Sequence, residues 1–337
     1  MKAVILEKLN SDLSIVDVSL TPLQYGQVLV KNIVSGLCGA QLQEIAGLKG
    51  NGNFLPHLLG HEGCGIVQEV GLGVNTVKVG DKVVMHWRKS EGIEAPFPKY
   101  IYNEKEISSG KVTTLSEYSI VSENRLTTVP NDTPEELCAL LGCGLTTALG
   151  VVTNEAEIKF GESVMIIGSG GVGLNLIQGA KLVSAFPIVA VDIVEEKRGI
   201  CLEVGATHFI NSKTENINQK FDVIIDTTGI PEVIANATTY LSGNGRLILV
   251  GQPKPDQKLE IPTANKLFDG IGKTIKATQG GKTNPTEDIP RYIKLHKAGL
   301  LDITKIITHR FDLNDINKAF DLLRSGKAGR IIININK

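Results

Sequence analysis

Short apolar runs separated by turn residues fill positions 1 to 130. Tyr25-Gly-Gln-Val-Leu-Val-Lys31, Gly65-Ile-Val-Gln-Glu-Val-Gly71 and Val79-Gly-Asp-Lys-Val-Val-Met85 each hold β-branched residues between glycine or charged boundaries, which predicts short strands. Met1-Lys-Ala-Val-Ile-Leu-Glu-Lys8 reads the same way. The region is therefore expected to be β-dominated, with a barrel-like tendency. At Thr133-Pro-Glu-Glu136 the pattern changes. Thr133 suits an N-cap, Pro134 the first helical position, and Glu136 the return arm of a capping box before an apolar helical run. Cys143 falls in that helical region.

From about residue 160 strand and helix signals alternate. Val164-Met-Ile-Ile167, Ile188-Val-Ala-Val191, Ile224-Ile-Asp226 and Arg246-Leu-Ile-Leu-Val250 read as strands, and Leu174 to Leu182 as a helix. This punctuation predicts an α/β region with a doubly wound parallel sheet. Gly280-Gly-Lys-Thr-Asn-Pro285 interrupts the rhythm, and two helical stretches precede a last strand, Arg330-Ile-Ile-Ile-Asn-Ile335. The tail is expected to rejoin the first domain, giving one domain of residues 1–144 with 279–337 and another of 145–278.

Length and composition narrow the function. A chain of 337 residues fits two domains of ordinary size. Apolar residues make up 42% and charged residues 21%, and no run is long enough to span a bilayer. With 35 basic against 36 acidic side chains the net charge is −1, so nothing draws the chain to nucleic acid or an anionic membrane. A small-molecule partner is expected. Five scattered cysteines without a leader pattern point to a reducing cytoplasm.

Two constellations carry chemistry. The first is Gly168-Ser-Gly-Gly-Val-Gly173, set between a β-branched strand and a helix, with Asp192 ending the next strand ~20 positions on. Gly168 allows a tight turn, Gly170 and its neighbour Gly171 let backbone amides approach a pyrophosphate, and Gly173 lets helix and strand pack closely. A carboxylate at Asp192 suits ribose hydroxyls and repels a 2′-phosphate, which favours NAD, although Lys197 and Arg198 stand nearby with opposite charge. The second is Cys38, His61, Glu62 and Cys143. A thiolate–imidazole–thiolate set is what zinc prefers, and three protein ligands suffice when a fourth position stays open for substrate. Glu62 would then bind part of the time. Cys64, Cys138 and Cys201 read as small buried apolar residues, with Cys64 the nearest to His61 in sequence.

These motifs, in this order, are familiar. With Gly36-Leu-Cys-Gly39, Gly60-His-Glu-Gly63, Gly80-Asp-Lys-Val83, Gly142-Cys-Gly144, the glycine turn and Leu322-Leu-Arg-Ser-Gly-Lys327, the chain resembles the zinc-dependent medium-chain dehydrogenases along nearly its whole length. These are the superfamily of alcohol, polyol and glutathione-dependent formaldehyde dehydrogenases. The resemblance implies a GroES-like β-barrel catalytic domain carrying zinc, a Rossmann domain carrying NAD, and a cleft between them. It puts the catalytic zinc on Cys38, His61 and Cys143 with Glu62 beside it, Thr147 and Val172 against the nicotinamide, and Arg330 near the pyrophosphate. It also places Trp87 in the substrate pocket, flanked by His86, Arg88 and Lys89, which suggests a polar or anionic substrate.

Three departures stand out. Residues 87 to 117 hold no cysteine, so the second, structural zinc of many relatives is not expected. Ala40 stands where relatives carry a hydroxyl that relays the alcohol proton. Gln41 and Gln43 replace an aspartate behind the zinc-bound histidine and a relay histidine, and a carboxamide adds no negative charge there. The leading expectation is one zinc per subunit and reversible hydride transfer between a polar, polyol or sugar-like alcohol and NAD, in a homodimer or homotetramer. The alternatives are a zinc-assisted reductase of another carbonyl or an activated double bond, and a catalytically silent nucleotide-binding scaffold.

Overall fold

The computed structural model describes residues 1–49 and 52–335. The chain divides into two compact units, Met1–Thr146 with Asn284–Gly299 and Ile307–Lys337, and Thr147–Thr283 with Leu300–Ile306. In chain order the first unit opens with β1 (Lys2–Leu6), β2 (Ser14–Asp17), β3 (Ser19–Leu20), β4 (Gln27–Gly36), α1 (Gly39–Ile45), β5 (His57–Leu58) and β6 (Glu62–Val70). It continues with β7 (Lys82–His86), β8 (Lys99–Tyr102), β9 (Lys105–Ser108), β10 (Tyr118–Ser122), β11 (Leu126–Thr128) and α2 (Glu135–Leu141), and α3 (Gly144–Gly150) runs from the first unit into the second. Then come β12 (Val164–Ile167), α4 (Gly171–Leu182), β13 (Ile188–Asp192), α5 (Arg198–Val204), β14 (His208–Asn211), β15 (Phe221–Asp226), α6 (Pro231–Thr239), β16 (Leu241–Leu249) and β17 (Thr274–Ala277). The chain ends with α7 (Pro285–Lys297), β18 (Ile307–Asp312), α8 (Ile316–Arg324) and β19 (Arg330–Asn334).

The first unit holds two sheets. One runs β2-β1-β5-β9-β8-β3, the other β11-β7-β6-β4-β19-β18. Strand β4 is long enough to serve two partners along one edge. Its first half, Gln27–Lys31, pairs with β10, and its last residues, Val34–Gly36, pair with β19. The last strand of the chain thereby joins the sheet that carries β6. Val28, Val30, Val67, Val83, Met85, Val121 and Leu126, contributed by five strands, pack together as one apolar core.

The second unit is built on a parallel sheet of order β14-β13-β12-β15-β16-β17. That order reverses direction between β12 and β15, the point at which doubly wound sheets bind nucleotides. Strand β12 is buried on both faces, and β13 and β15 nearly so, which explains their unbroken β-branched runs. Met165, Val189, Phe221 and Ile224 pack with Ile234 and Ala237 of α6.

One local expectation fails. Helix α2 is capped by Pro134 at φ −57° and ψ 136° with no side-chain cap, and Thr133 Oγ1 is buried without a hydrogen-bond partner. The buried Lys82 ammonium donates to the Asn131 and Thr133 carbonyls at 3.3 and 2.6 Å and to Glu135 at 3.1 Å. This tertiary contact fixes how the chain reaches the helix, so the local capping box does not form.

Candidate functional site

Three junctions in the first unit deliver the metal-ligating side chains. Cys38 is the N-cap of α1, in extended conformation just after β4. Its backbone N–H is held by Gln41 Oε1 at 2.9 Å. His61 precedes β6, behind Gly60 at φ +103°, where a Cβ would stand 2.5 Å from Thr114 Oγ1 and 2.7 Å from its amide nitrogen. Only glycine fits that close approach in that conformation. Cys143 lies in the break between α2 and α3. A Cβ on Gly142 would meet the Met85 carbonyl at 2.4 Å, so glycine lets the break settle against β7.

The ligand atoms of Cys38, His61 and Cys143 all lie within 4.8 Å of one another. Zn–S bonds of ~2.3 Å and Zn–N bonds of ~2.0 Å put tetrahedral ligands roughly 3.5–4 Å apart, so the donor set fits zinc in both chemistry and spacing. The three groups are also electrostatically coupled to one another. The Cys143 thiol donates to Cys38 and, against the cost of burial and with His61 alongside, holds Cys38 well below the ordinary thiol range. Cys143, the donor, is held above it. Burial pushes His61 down, but the Cys38 thiolate draws it up to about 9.

Glu62 stands next to this set with its carboxylate committed elsewhere. It pairs with the Arg330 guanidinium and accepts the Gly144 N–H at 3.1 Å. Both partners of the ion pair are almost fully buried, at 1% and 3% side-chain exposure. Burial raises the Glu62 carboxyl, opposed by the Arg330 charge. Arg330 thus spends its charge inside the first unit. Ala40 is half-buried on α1, and Gln41, fully buried, keeps an unpartnered Nε2.

Of the expected pocket residues, Trp87 is tied to this site and His86 is not. The Trp87 N–H donates to the Gly142 carbonyl at 3.3 Å, one residue from Cys143, and its own carbonyl accepts from Arg125. The Arg88 guanidinium lies 5.8 Å from the Trp87 ring centroid, and Lys89 is exposed. His86 is 1% exposed, with its ring nitrogens engaged by the Arg88 carbonyl at 2.7 Å and Thr127 Oγ1 at 2.9 Å. Burial lowers it to about 4. It is a buried, neutral histidine with both ring nitrogens engaged, on a strand that is buried on both faces to its end.

In the second unit the glycine turn takes the predicted shape. Gly168 has φ +89°, and a Cβ there would stand 2.4 Å from Thr227 Oγ1. A Cβ on Gly173 would lie 2.0 Å from the Gly168 carbonyl oxygen, whereas one on Gly170 would point into open space. Helix α4 starts at Gly171, so the first amides, including those of Val172 and Gly173, have no partner within the helix. A cradle of free amides with open space before it fits a dinucleotide pyrophosphate. Asp192 accepts the Ser169 N–H at 2.7 Å, the Ile193 and Val194 amides, and Lys197 Nζ at 3.0 Å. Arg198 is taken up by Glu195 and Glu215. Thr147 lies on α3 at 8% exposure. Sequence reasoning missed Thr227, whose hydroxyl reaches the Gly168 carbonyl at 3.0 Å.

Comparison with known proteins gives the same picture. Residues 24–131 match the family model described as the alcohol dehydrogenase GroES-like domain, and residues 171–298 match that of the zinc-binding dehydrogenases. S-(hydroxymethyl)glutathione dehydrogenase of Synechocystis is 31% identical, over 98% of this chain and 99% of that one. The chain belongs to the zinc-dependent medium-chain alcohol dehydrogenase superfamily. This alcohol dehydrogenase is also 28% identical to the S-(hydroxymethyl)glutathione dehydrogenase of Paracoccus denitrificans, over 98% and 99% of the two chains. Benzyl alcohol dehydrogenase from Acinetobacter calcoaceticus superposes with a TM-score of 0.90 at 27% identity, over 99% of each chain. The fold is that of the alcohol dehydrogenases, a GroES-like domain with a Rossmann domain. The protein is a zinc-containing oxidoreductase of alcohol dehydrogenase type that uses zinc and NAD(H). Among the described residues no single helix is long and apolar enough to cross a membrane.

Proposed function

We propose that this dehydrogenase oxidises a polar alcohol with NAD, holding one zinc per subunit on Cys38, His61 and Cys143. The observation behind this is the convergence of two thiols and an imidazole within 4.8 Å. Zinc bound there supplies Lewis acidity at an open coordination position. Bound NAD supplies the hydride acceptor. The remaining tasks fall to the chain's own groups. Gln41 fixes the backbone of Cys38, and the Glu62–Arg330 pair fills the space behind the ligands with a neutral unit. Without a hydroxyl at Ala40, and with Glu62 tied to Arg330 and Gly144, the alcohol proton leaves through water or a hydroxyl of the substrate itself. That favours a polyol-like substrate.

In this reading residues 1–144 with 279–337 form the catalytic domain and 145–278 the NAD-binding domain. Gly168, Gly170, Gly171 and Gly173 admit the pyrophosphate, Asp192 and Lys197 meet the adenosine ribose, and Thr147 and Val172 pack on the nicotinamide. Trp87 with Arg88 walls the substrate pocket. Subunits associate through β17, which has no neighbour beyond it among the described residues, near Phe268 and Ile271, which are 83% and 90% exposed. The enzyme works in the cytoplasm, where its five thiols stay reduced.

The test is an assay of NADH formation over a panel of polyols, carboxylated alcohols and aliphatic alcohols, using metal-analysed protein. Polyols or anionic alcohols should give the highest kcat/KM, and Arg88→Ala should raise their KM severalfold with zinc content unchanged. Preference for long unsubstituted alcohols, indifferent to Arg88, would overturn the polar-substrate reading.

A further inference from the structure

The peptide unit joining Gly168 to Ser169 is gripped at both ends. Its carbonyl accepts the Thr227 hydroxyl at 3.0 Å, and its N–H donates to Asp192 Oδ2 at 2.7 Å. The two grips come from opposite sides, because Asp192 ends β13 and Thr227 follows β15, the two neighbours of β12 in the sheet. A trans peptide is rigid and planar, with its C=O and N–H pointing in opposite directions. Holding both fixes the orientation of the whole plane.

That plane is the hinge on which the cradle hangs. Gly168 occupies the left-handed region at φ +89°, where glycine has a broad choice of conformations. Rotation there would reorient the Gly170, Gly171 and Val172 amides relative to β12. Thr227 is itself anchored. Its N–H donates to the Ile167 carbonyl at 2.9 Å, and its single hydroxyl proton is shared between that carbonyl, also at 2.9 Å, and the Gly168 carbonyl at 3.0 Å. The next turn is braced by the buried Asp226 carboxylate, which accepts from Thr228 Oγ1 at 2.7 Å and the Gly229 N–H at 2.9 Å. We infer that Thr227 is a positioning residue for the dinucleotide pyrophosphate, acting through the Gly168–Ser169 peptide with Asp192 as its counterpart. The inference rests on the reading of this turn as the NAD site.

Thr227→Val keeps the shape and the backbone hydrogen bond to Ile167 but removes the hydroxyl, and Thr227→Ser restores it. Binding of ADP-ribose and of adenosine to the full-length enzyme, measured by calorimetry, separates positioning from general loosening. Thr227→Val should weaken ADP-ribose about tenfold, the scale of one hydrogen bond. Adenosine, which lacks phosphate, should bind within twofold of wild type, and Thr227→Ser should recover most of the ADP-ribose affinity. Unchanged ADP-ribose affinity in Thr227→Val overturns the inference. So does an equal loss for both ligands, or a failure of Thr227→Ser to recover, since either marks a purely structural role. Wild-type enzyme that binds no ADP-ribose would overturn the nucleotide reading itself, and this inference with it.

Discussion

In the first unit the proposed metal donors stand at residues 38, 61 and 143, each a side chain at a junction between elements. In the second unit the nucleotide cradle is one strand, one turn and one helix, built mainly from backbone amides and clamped by the two strands alongside. A site made of side chains fails when one atom is removed. A site made of backbone degrades by degrees, because any single clamp contributes only part of its geometry.

The largest contrast should come from His61→Ala. Removing one of three ligands should cost at least about a thousandfold in turnover, or ~4 kcal/mol in the barrier, while NADH affinity stays within about twofold. A parallel loss of NADH affinity, measured by fluorescence titration, would break the separation between the two units. Next in size is Glu62→Gln. It leaves the Arg330 guanidinium buried beside a neutral group, which should lower unfolding stability by about 3 kcal/mol. A urea midpoint equal to wild type would show that the pair stabilises nothing.

The same contrast governs what the sequence could reveal. The glycine turn was legible because Gly168, Gly170 and Gly173 satisfy three steric demands within six positions, between a strand and a helix that announce themselves. Thr227 was invisible because its hydroxyl reaches a carbonyl 59 positions away, and no local pattern marks it. The cysteines and histidine of the first unit were legible as a set through their family motifs, not through spacing. The family motif Gly60-His-Glu-Gly63 points to Glu62 as a part-time ligand beside His61. Its carboxylate pairs with Arg330, 268 positions on, which no local pattern announces. His86 is expected beside Trp87 from its place in the sequence, whereas its bond to Thr127, 41 positions on, depends on the pairing of β7 with β11.

His86 also supplies a pH test confined to the first unit. Its value in the folded protein is about 4, below the ~6.5 of an unfolded histidine. Between those values the unfolded chain binds a proton that the folded chain refuses, so stability is full above about pH 6.5 and falls as pH drops towards 4. The loss from pH 7.5 to 5 should be about 2 kcal/mol. Comparing urea midpoints of wild type and His86→Gln at both pH values isolates it, and equal pH slopes would show that His86 takes up its proton in the folded state.

The smallest effect should follow Asp192→Ala. Because this carboxylate holds the Ser169 amide as well as facing the ribose site, its loss should weaken NADH by about tenfold, one hydrogen-bonded clamp. NADPH should gain little, since relief of repulsion is offset by the loosened turn. A clean switch to NADPH with no loss of overall affinity would mean that Asp192 only discriminates between cofactors.

Zinc content per subunit, measured by elemental analysis on wild type and Cys143→Ser, tests the central claim most directly. One zinc in the wild type and a large loss in the variant, with NADH binding retained, is the expected result. Two zincs per subunit, or one zinc fully retained by Cys143→Ser, would contradict the assignment of Cys38, His61 and Cys143 as the metal site.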